Sequence, residues 1–290
     1  MLEDVKRNKF KTGVIVSIFI IIVTLVVYFV CYYKNLGPIS ILIGLATSIF
    51  SAFITYYNSD KIILSLNNAR PATPEEDQKL VNILDALVIA SGLEHTPRLY
   101  VMDCEQPNAF ATGRDPEHAV ICVTTGLLEK MDYYELEGVV AHELAHVKNY
   151  DIRLSAVVSV MVGLLLMLSD YCTRTVFNRN SDRNVNYFIY IIGLILLIFS
   201  PIIASLMQLA ISRRREYLAD ATAVEFTRNP QGLISALRKL DEDSTPMDKV
   251  NSSTAHMFIS DPDKRHKKAR NLFSTHPPIE DRIHALENIK

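Results

Sequence analysis

The chain has 290 residues, a formal net charge of −2 and a hydrophobic share of 49%. That charge balance gives no electrostatic reason for a nucleic-acid partner, whereas the apolar share, with a mean hydropathy of +0.15, exceeds what most soluble domains need. The length allows one large or two modest domains, and the apolar excess is local.

Residues 13–33 read GVIVSIFIIIVTLVVYFVCYY and residues 38–57 read PISILIGLATSIFSAFITYY, both without a charge. Each matches the roughly 20 residues that a helix needs to cross a hydrocarbon core. Lys6, Arg7, Lys9 and Lys11 precede the first, and no small-residue cleavage site follows it, so it reads as an uncleaved anchor. Next, Thr73-Pro74-Glu75-Glu76 is a helix-start signal, with Thr73 as cap and acidic residues at the positive end of the dipole, and the helix runs to about Ser91. Arg98 to Met102 predicts a strand, and His118 to Thr125 a second, more buried one. The intervening Asn108-Ala109-Phe110-Ala111-Thr112-Gly113 has two readings. It is either an ordinary edge strand or loop, or an exposed edge to which an extended peptide adds as a further strand.

A further helix starts near Tyr133 to Glu137, and its charged residues keep that start out of lipid. It carries His142-Glu143-Leu144-Ala145-His146. Because a helix advances about 100° per residue, the two histidines share a face one turn apart, within reach of one metal ion. Glu143 points to the side, toward the water that such a metal would hold. A third apolar stretch covers Leu154 to Leu168 and extends as far as Cys172. It is short, with Asp170 near its end, so spanning, buried and re-entrant readings all stay open. A fourth runs from Tyr187 to Ile211, broken at Ser200-Pro201.

Glu216 follows, in Arg215-Glu216-Tyr217-Leu218-Ala219-Asp220. A catalytic zinc usually takes three protein ligands and keeps a fourth position open, and two His plus one Glu is a standard set. Asp220, one turn later, is placed to accept the second ring N–H of a ligand histidine. Pro230-Gln231-Gly232-Leu233 opens a helix to about Leu240, and Asp241 to Lys268 reads as a polar, poorly constrained connection. Its basic end, Lys264 to Arg270, is a solvated loop or an anionic-lipid contact. Cys31, Cys104, Cys122 and Cys172 show no close-spaced metal pattern, and a reduced compartment is the simpler inference.

The charges also bear on topology. Four basic residues flank the first segment, which places the amino terminus in the cytoplasm, and Arg213-Arg214-Arg215 agree. Arg174, Arg179 and Arg183 conflict with a full second hairpin, yet His142 and His146 must share a side with Glu216 to share a metal.

With H-E-L-A-H, R-R-E-Y-L-A-D, N-A-F-A-T-G and the late Ser274-Thr275-His276-Pro277-Pro278 in place, the chain resembles the membrane zinc metalloproteases of the HtpX type, relatives of the endopeptidases that process prenylated CAAX proteins. The resemblance covers nearly the whole chain. It implies a mainly α membrane protein with four transmembrane or membrane-embedded helices and a cytoplasmic α+β zincin-like domain with a small sheet. The corresponding parts are a hairpin at 1–57, protease parts at 58–153 and 212–290, and a second hairpin at 154–211. It further implies one zinc ion per subunit on His142, His146 and Glu216, with Glu143 as catalytic base and Asn108, Ala109 and Phe110 along the substrate edge. His276 would lie near the catalytic centre as an oxyanion donor, and Arg282 would order that segment or hold a substrate carbonyl. The implied setting is the cell's inner membrane, multi-pass, with the site facing the cytoplasm. There the expected partners are the lipid bilayer and polypeptide substrates, chiefly misfolded or damaged membrane proteins, and no nucleic acid. Two competing classes are a non-catalytic metal-binding scaffold or chaperone and a transporter. Neither a fourth ligand for an enclosed structural zinc nor a row of intramembrane charges is evident.

Overall fold

The computed structural model describes residues 2–33, 36–177, 213–247, 251, 253–262 and 277–289. The fourth apolar segment, the Lys264–Arg270 run and His276 lie outside the described residues.

Helix α1 (Leu2–Tyr33) and helix α2 (Ile39–Leu66) contain the stretches long and apolar enough to cross a membrane, Lys6–Tyr28 and Ile39–Leu66. They pack as membrane helices do. Small residues at successive turns of α2, among them Ser40, Gly44, Ser48 and Ala52, are buried, which lets the α1 backbone come close, and Thr24 Oγ1 shares a 2.8 Å hydrogen bond with Ser48 Oγ. Ile41, Leu42, Ile49, Phe50 and Phe53 face outward, an apolar surface suited to lipid. The opposite side of α1, with Ile15, Phe19, Ile22 and Val26, packs on Leu154, Val158, Met161 and Leu165 of helix α6 (Asp151–Phe177).

Helix α2 leaves helical geometry at Asn58 (φ −118°, ψ 16°) and then continues to Leu66, so Ile63 and Leu64 reach the sheet and pack with Met102, Phe110, Val120 and Cys122. The sheet has four strands: β1 (Arg70–Pro71), β2 (Arg98–Met102), β3 (Ala109–Thr112) and β4 (Val120–Thr124), in the order β1-β2-β4-β3. β2 and β4 are parallel, with Arg98 opposite Val120 and Met102 opposite Thr124, and the outer pairings are antiparallel. β4 is central and buried throughout, which explains its unbroken apolar run.

Helix α3 (Pro74–Ser91) begins in the capping box that Thr73 and Glu76 announce, and ends at Gly92, whose φ of 69° suits a residue without Cβ. Helix α4 (Thr125–Lys130) follows β4. Helix α5 (Tyr133–Lys148) opens in a second capping box, Asp132 with Glu135, and runs through the core between the sheet and helices α7 (Arg213–Thr227) and α8 (Pro230–Glu242). Helix α9 (Ile279–Glu287) packs against α7 and α8. Between α5 and α6 the axis bends by 83° at Asn149-Tyr150, and Tyr150 has a φ of 60°. Among the described residues the architecture is therefore mainly helical, with two candidate spans and a small mixed sheet.

Ala109–Thr112 is an edge strand, one of the two readings open for it, with all four residues buried. One expectation needs correction. The stretch after Asp241 is not loose throughout: Ser253, Thr254, His256, Phe258, Ile259 and Ser260 are buried, and Phe258 stacks edge-on against Phe110 at 5.1 Å. The apolar Met257-Phe258-Ile259, set in a polar stretch, anchors this segment over β3.

Candidate metal centre

His142 and His146 project from the buried face of α5 with their Nε2 atoms 3.2 Å apart. Glu216, in the first turn of α7, brings Oε2 to 3.8 Å from His142 Nε2 and Oε1 to 3.7 Å from His146 Nε2. All three offer ligand atoms within 4.8 Å of one another. Tetrahedral coordination at zinc–nitrogen distances near 2.0–2.1 Å separates adjacent donor atoms by about 3.3 Å. The observed spacings bracket that value, so the donor set fits such an ion.

Each imidazole is held from behind by its own carboxylate. His142 Nδ1–H donates to Asp220 Oδ1 at 2.9 Å, and His146 Nδ1–H donates to Asp151 Oδ2 at 3.1 Å. In the neutral form of each ring these bonds put the N–H on Nδ1 and turn Nε2, as acceptor, toward the common point. Asp220 is itself gripped by Arg282, whose Nε and Nη2 donate to its two oxygens at 2.9 and 2.7 Å. Asp151 receives Arg215 Nη1 at 3.4 Å and Asn8 Nδ2 at 2.7 Å.

Burial and neighbouring charges together set the protonation of the group. It pushes His142 down to about 4, keeping that ring neutral near pH 7, as a ligand must be. At His146 burial acts the same way, but the hydrogen bond to Asp151 and the charges of Glu216, Asp151 and Glu143 outweigh it and raise the ring to about 9, so this ring gives up a proton when it takes a metal. For Asp220, burial alone would raise the carboxyl, and the charge and hydrogen bonds of Arg282, with that of His142, hold it below its ordinary value. Glu143 is raised to about 7, first by burial and then by the charge of Glu216, against the lowering pull of His146, Arg282 and the Ala111 N–H. A carboxylate near 7 is matched to accepting and returning a proton at neutral pH.

His142, Glu143, His146 and Glu216 line one cavity of about 30 Å3, with Ala111 of β3, Ile152 and Ser155 of α6, and His256, Met257 and Ile259 in its wall. A guest the size of an ion and its water fits that space. Among the residues expected at the substrate edge, Asn108, Ala109 and Phe110 stand behind this wall. Asn108 Nδ2 donates to Ser260 O at 2.9 Å, the Ile259 N–H donates to Ala109 O at 2.9 Å, and Phe110 meets Phe258. Ala111 is the strand residue that reaches the cavity. Arg282 is fully buried and bonds Asp220 and, at 3.2 Å, Ile259 O; it is not among the cavity-lining residues.

Asp151, Arg215 and Asn8 carry no sign of this site in the sequence. Asp151 lies five positions after His146, off the helical repeat, and only the turn at Tyr150 brings it back to the ring. Asn8 is 143 residues from Asp151, and nothing local in the sequence marks it.

Long apolar helices joined to a helical domain with a largely buried His–His–Glu group are the features of a membrane metallopeptidase. The comparisons give the class its family. The chain belongs to peptidase family M48, whose model matches residues 74–290. It is 44% identical to the "Protease HtpX homolog" of Dictyoglomus thermophilum over 98% of this chain and 93% of that one. It is 43% identical to the "Protease HtpX homolog" of Lactobacillus acidophilus over the whole of both. Among solved structures, the crystal structure of S. mikatae Ste24p superposes with a TM-score of 0.51 at 18% identity, covering 99% of this chain and 67% of that one, a likeness of fold. The chain is thus a membrane metalloprotease that hydrolyses peptide bonds.

Proposed function

We propose that His142, His146 and Glu216 hold one zinc ion and that Glu143 is the general base of an endopeptidase working at the cytoplasmic face of a cell membrane. The observation that carries this reading is the convergence of three ligand atoms within 4.8 Å, beside a carboxylate raised to about 7. When bound, the ion supplies a Lewis acid for the scissile carbonyl and lowers the pKa of water at the site to about 7. Glu143 takes the proton of the attacking water and returns it to the leaving amine. Asp220 and Asp151 keep the imidazoles in the tautomer that presents Nε2. The peptide backbone meets the site at Ala111, and Asn108 to Phe110 fix the wall formed by residues 258–260. Zinc is favoured by the imidazole–carboxylate donor set, although such sets accept other divalent ions.

Support for the cytoplasmic side comes from one contact. Asn8 reaches Asp151 at 2.7 Å, so the site lies at the end of α1 that carries Arg7, Lys9 and Lys11, the end that the positive-inside rule assigns to the cytoplasm. A site against the ends of the spans is suited to substrates that emerge from the bilayer, and misfolded membrane proteins fit that description. A structural-metal scaffold is the weaker reading, because among the described residues no fourth His, Cys or carboxylate joins the ligand group. Purified full-length chain should cleave an unstructured protein, lose that cleavage to a chelator and recover it with added zinc. Chelator-insensitive cleavage would rule the reading out.

A further inference from the structure

Asn8 lies in the first turns of α1, before the apolar stretch, yet it is 2% exposed and bonded far along the chain. Its side-chain amide donates to Asp151 Oδ1 at 2.7 Å and to the backbone carbonyl of Asn149 at 3.3 Å. Both acceptors belong to the bend between α5 and α6, immediately after the H-E-L-A-H turn. A carboxylate and a carbonyl only accept hydrogen bonds, so the Asn8 nitrogen must face them and the amide has one possible orientation. Asp151 uses its other oxygen, Oδ2, to hold His146 Nδ1. Arg215, the neighbour of Glu216, shares Oδ1 with Asn8.

We infer that Asn8 is a positioning residue of the metal centre: through Asp151 it fixes the His146 ring, which makes the membrane-anchoring helix α1 part of the site rather than a tether. The inference rests on the reading of His146 as a metal ligand. The physical reason is rotational. A carboxylate held only by His146 and a long guanidinium contact can turn about its side-chain torsions. A short second bond from a helix clamped between α2 and α6 removes that freedom and aims Oδ2 at the ring. Direct partners of a ligand histidine, such as Asp151, typically contribute 10- to 100-fold in metal affinity, and Asn8, one contact further out, falls at the low end of that range.

The test uses full-length protein in detergent micelles, with zinc affinity measured by chelator competition, the visible spectrum of the cobalt-substituted site as a second readout, and thermal melting as the folding control. Asn8→Ala should weaken zinc binding about tenfold and shift the cobalt bands. In an Asp151→Asn background the same change should alter zinc affinity by less than about twofold, because two residues acting through one contact are not additive. An equal loss in both backgrounds would overturn the inference, as would a lowered melting temperature with unchanged zinc affinity and cobalt spectrum. His146→Ala separates this from the ligand reading. If His146→Ala loses the metal while Asn8→Ala keeps wild-type affinity, only the positioning role falls; if His146→Ala binds zinc as the wild type does, the ligand assignment falls and takes the positioning role with it.

Discussion

Arg282 and Asp220 form a fully buried bidentate pair, with bonds of 2.9 and 2.7 Å, directly behind His142. Both groups left water to make it, so its geometry must compensate for two desolvated charges. Removing one partner strands the other. Arg282→Met should destabilise the protein by about 3–5 kcal/mol, and Arg282→Lys should fail to restore it, because a lysine cannot make the two parallel bonds. Thermal melting of both variants checks this. A lysine variant melting like the wild type would show that charge alone, not the fork, holds Asp220.

Gly138 and Gly232 mark where α5 crosses α8. A Cβ on Gly138 would lie 2.7 Å from the backbone nitrogen of Leu233, and one on Gly232 would lie 2.4 Å from Tyr134 O. The obstacles are backbone atoms, which cannot rotate away. Gly138→Ala should therefore force the helices apart and destabilise by about 1–3 kcal/mol, despite alanine's better helix propensity. Since His142 sits one turn along α5, zinc affinity should fall as well. An alanine variant with unchanged stability would refute the close crossing.

Arg70 donates to both oxygens of Glu76 at 2.8 Å, and these bonds, helped by Thr73, hold the Glu76 carboxyl at about 2, below its ordinary 4.5. A carboxyl lowered on folding contributes stability that is complete above pH 4.5 and disappears as the pH falls through 2. Arg70 is 35% exposed, so the contribution is about 0.5–1 kcal/mol after screening. Glu76→Gln should lower stability near neutral pH by that amount and flatten its loss between pH 4.5 and 2. Denaturant titrations across that range read the difference. An unchanged slope would mean that other carboxyls account for the acid sensitivity.

The sequence disclosed those parts that obey a local rule. Thr73 and Glu76 start α3 where the capping signal stands. Arg98 to Met102 is the strand its β-branched and aromatic content predicts, and His142 and His146 share a face because helical period requires it. What escaped reading depends on chain reversals that no period encodes. The bend at Tyr150 returns Asp151 to His146, the fold brings Asn8 across from the far end of the chain, and Met257 to Ile259 press a polar-looking connection onto β3. Arg282 bonds both oxygens of Asp220 behind His142. A lone arginine on a short helix carries no sign of which buried carboxylate it will meet.

Glu143 and Glu216, two buried carboxylates of the same cavity, divide the work between them. The direct measurement compares zinc content and cleavage of an unstructured protein for purified Glu143→Gln and Glu216→Ala. Glu143→Gln should retain one zinc per chain while hydrolysis falls by at least about 100-fold, whereas Glu216→Ala should lose much of the metal itself. Hydrolysis at wild-type rate by Glu143→Gln, or full zinc retention by Glu216→Ala, would contradict this division.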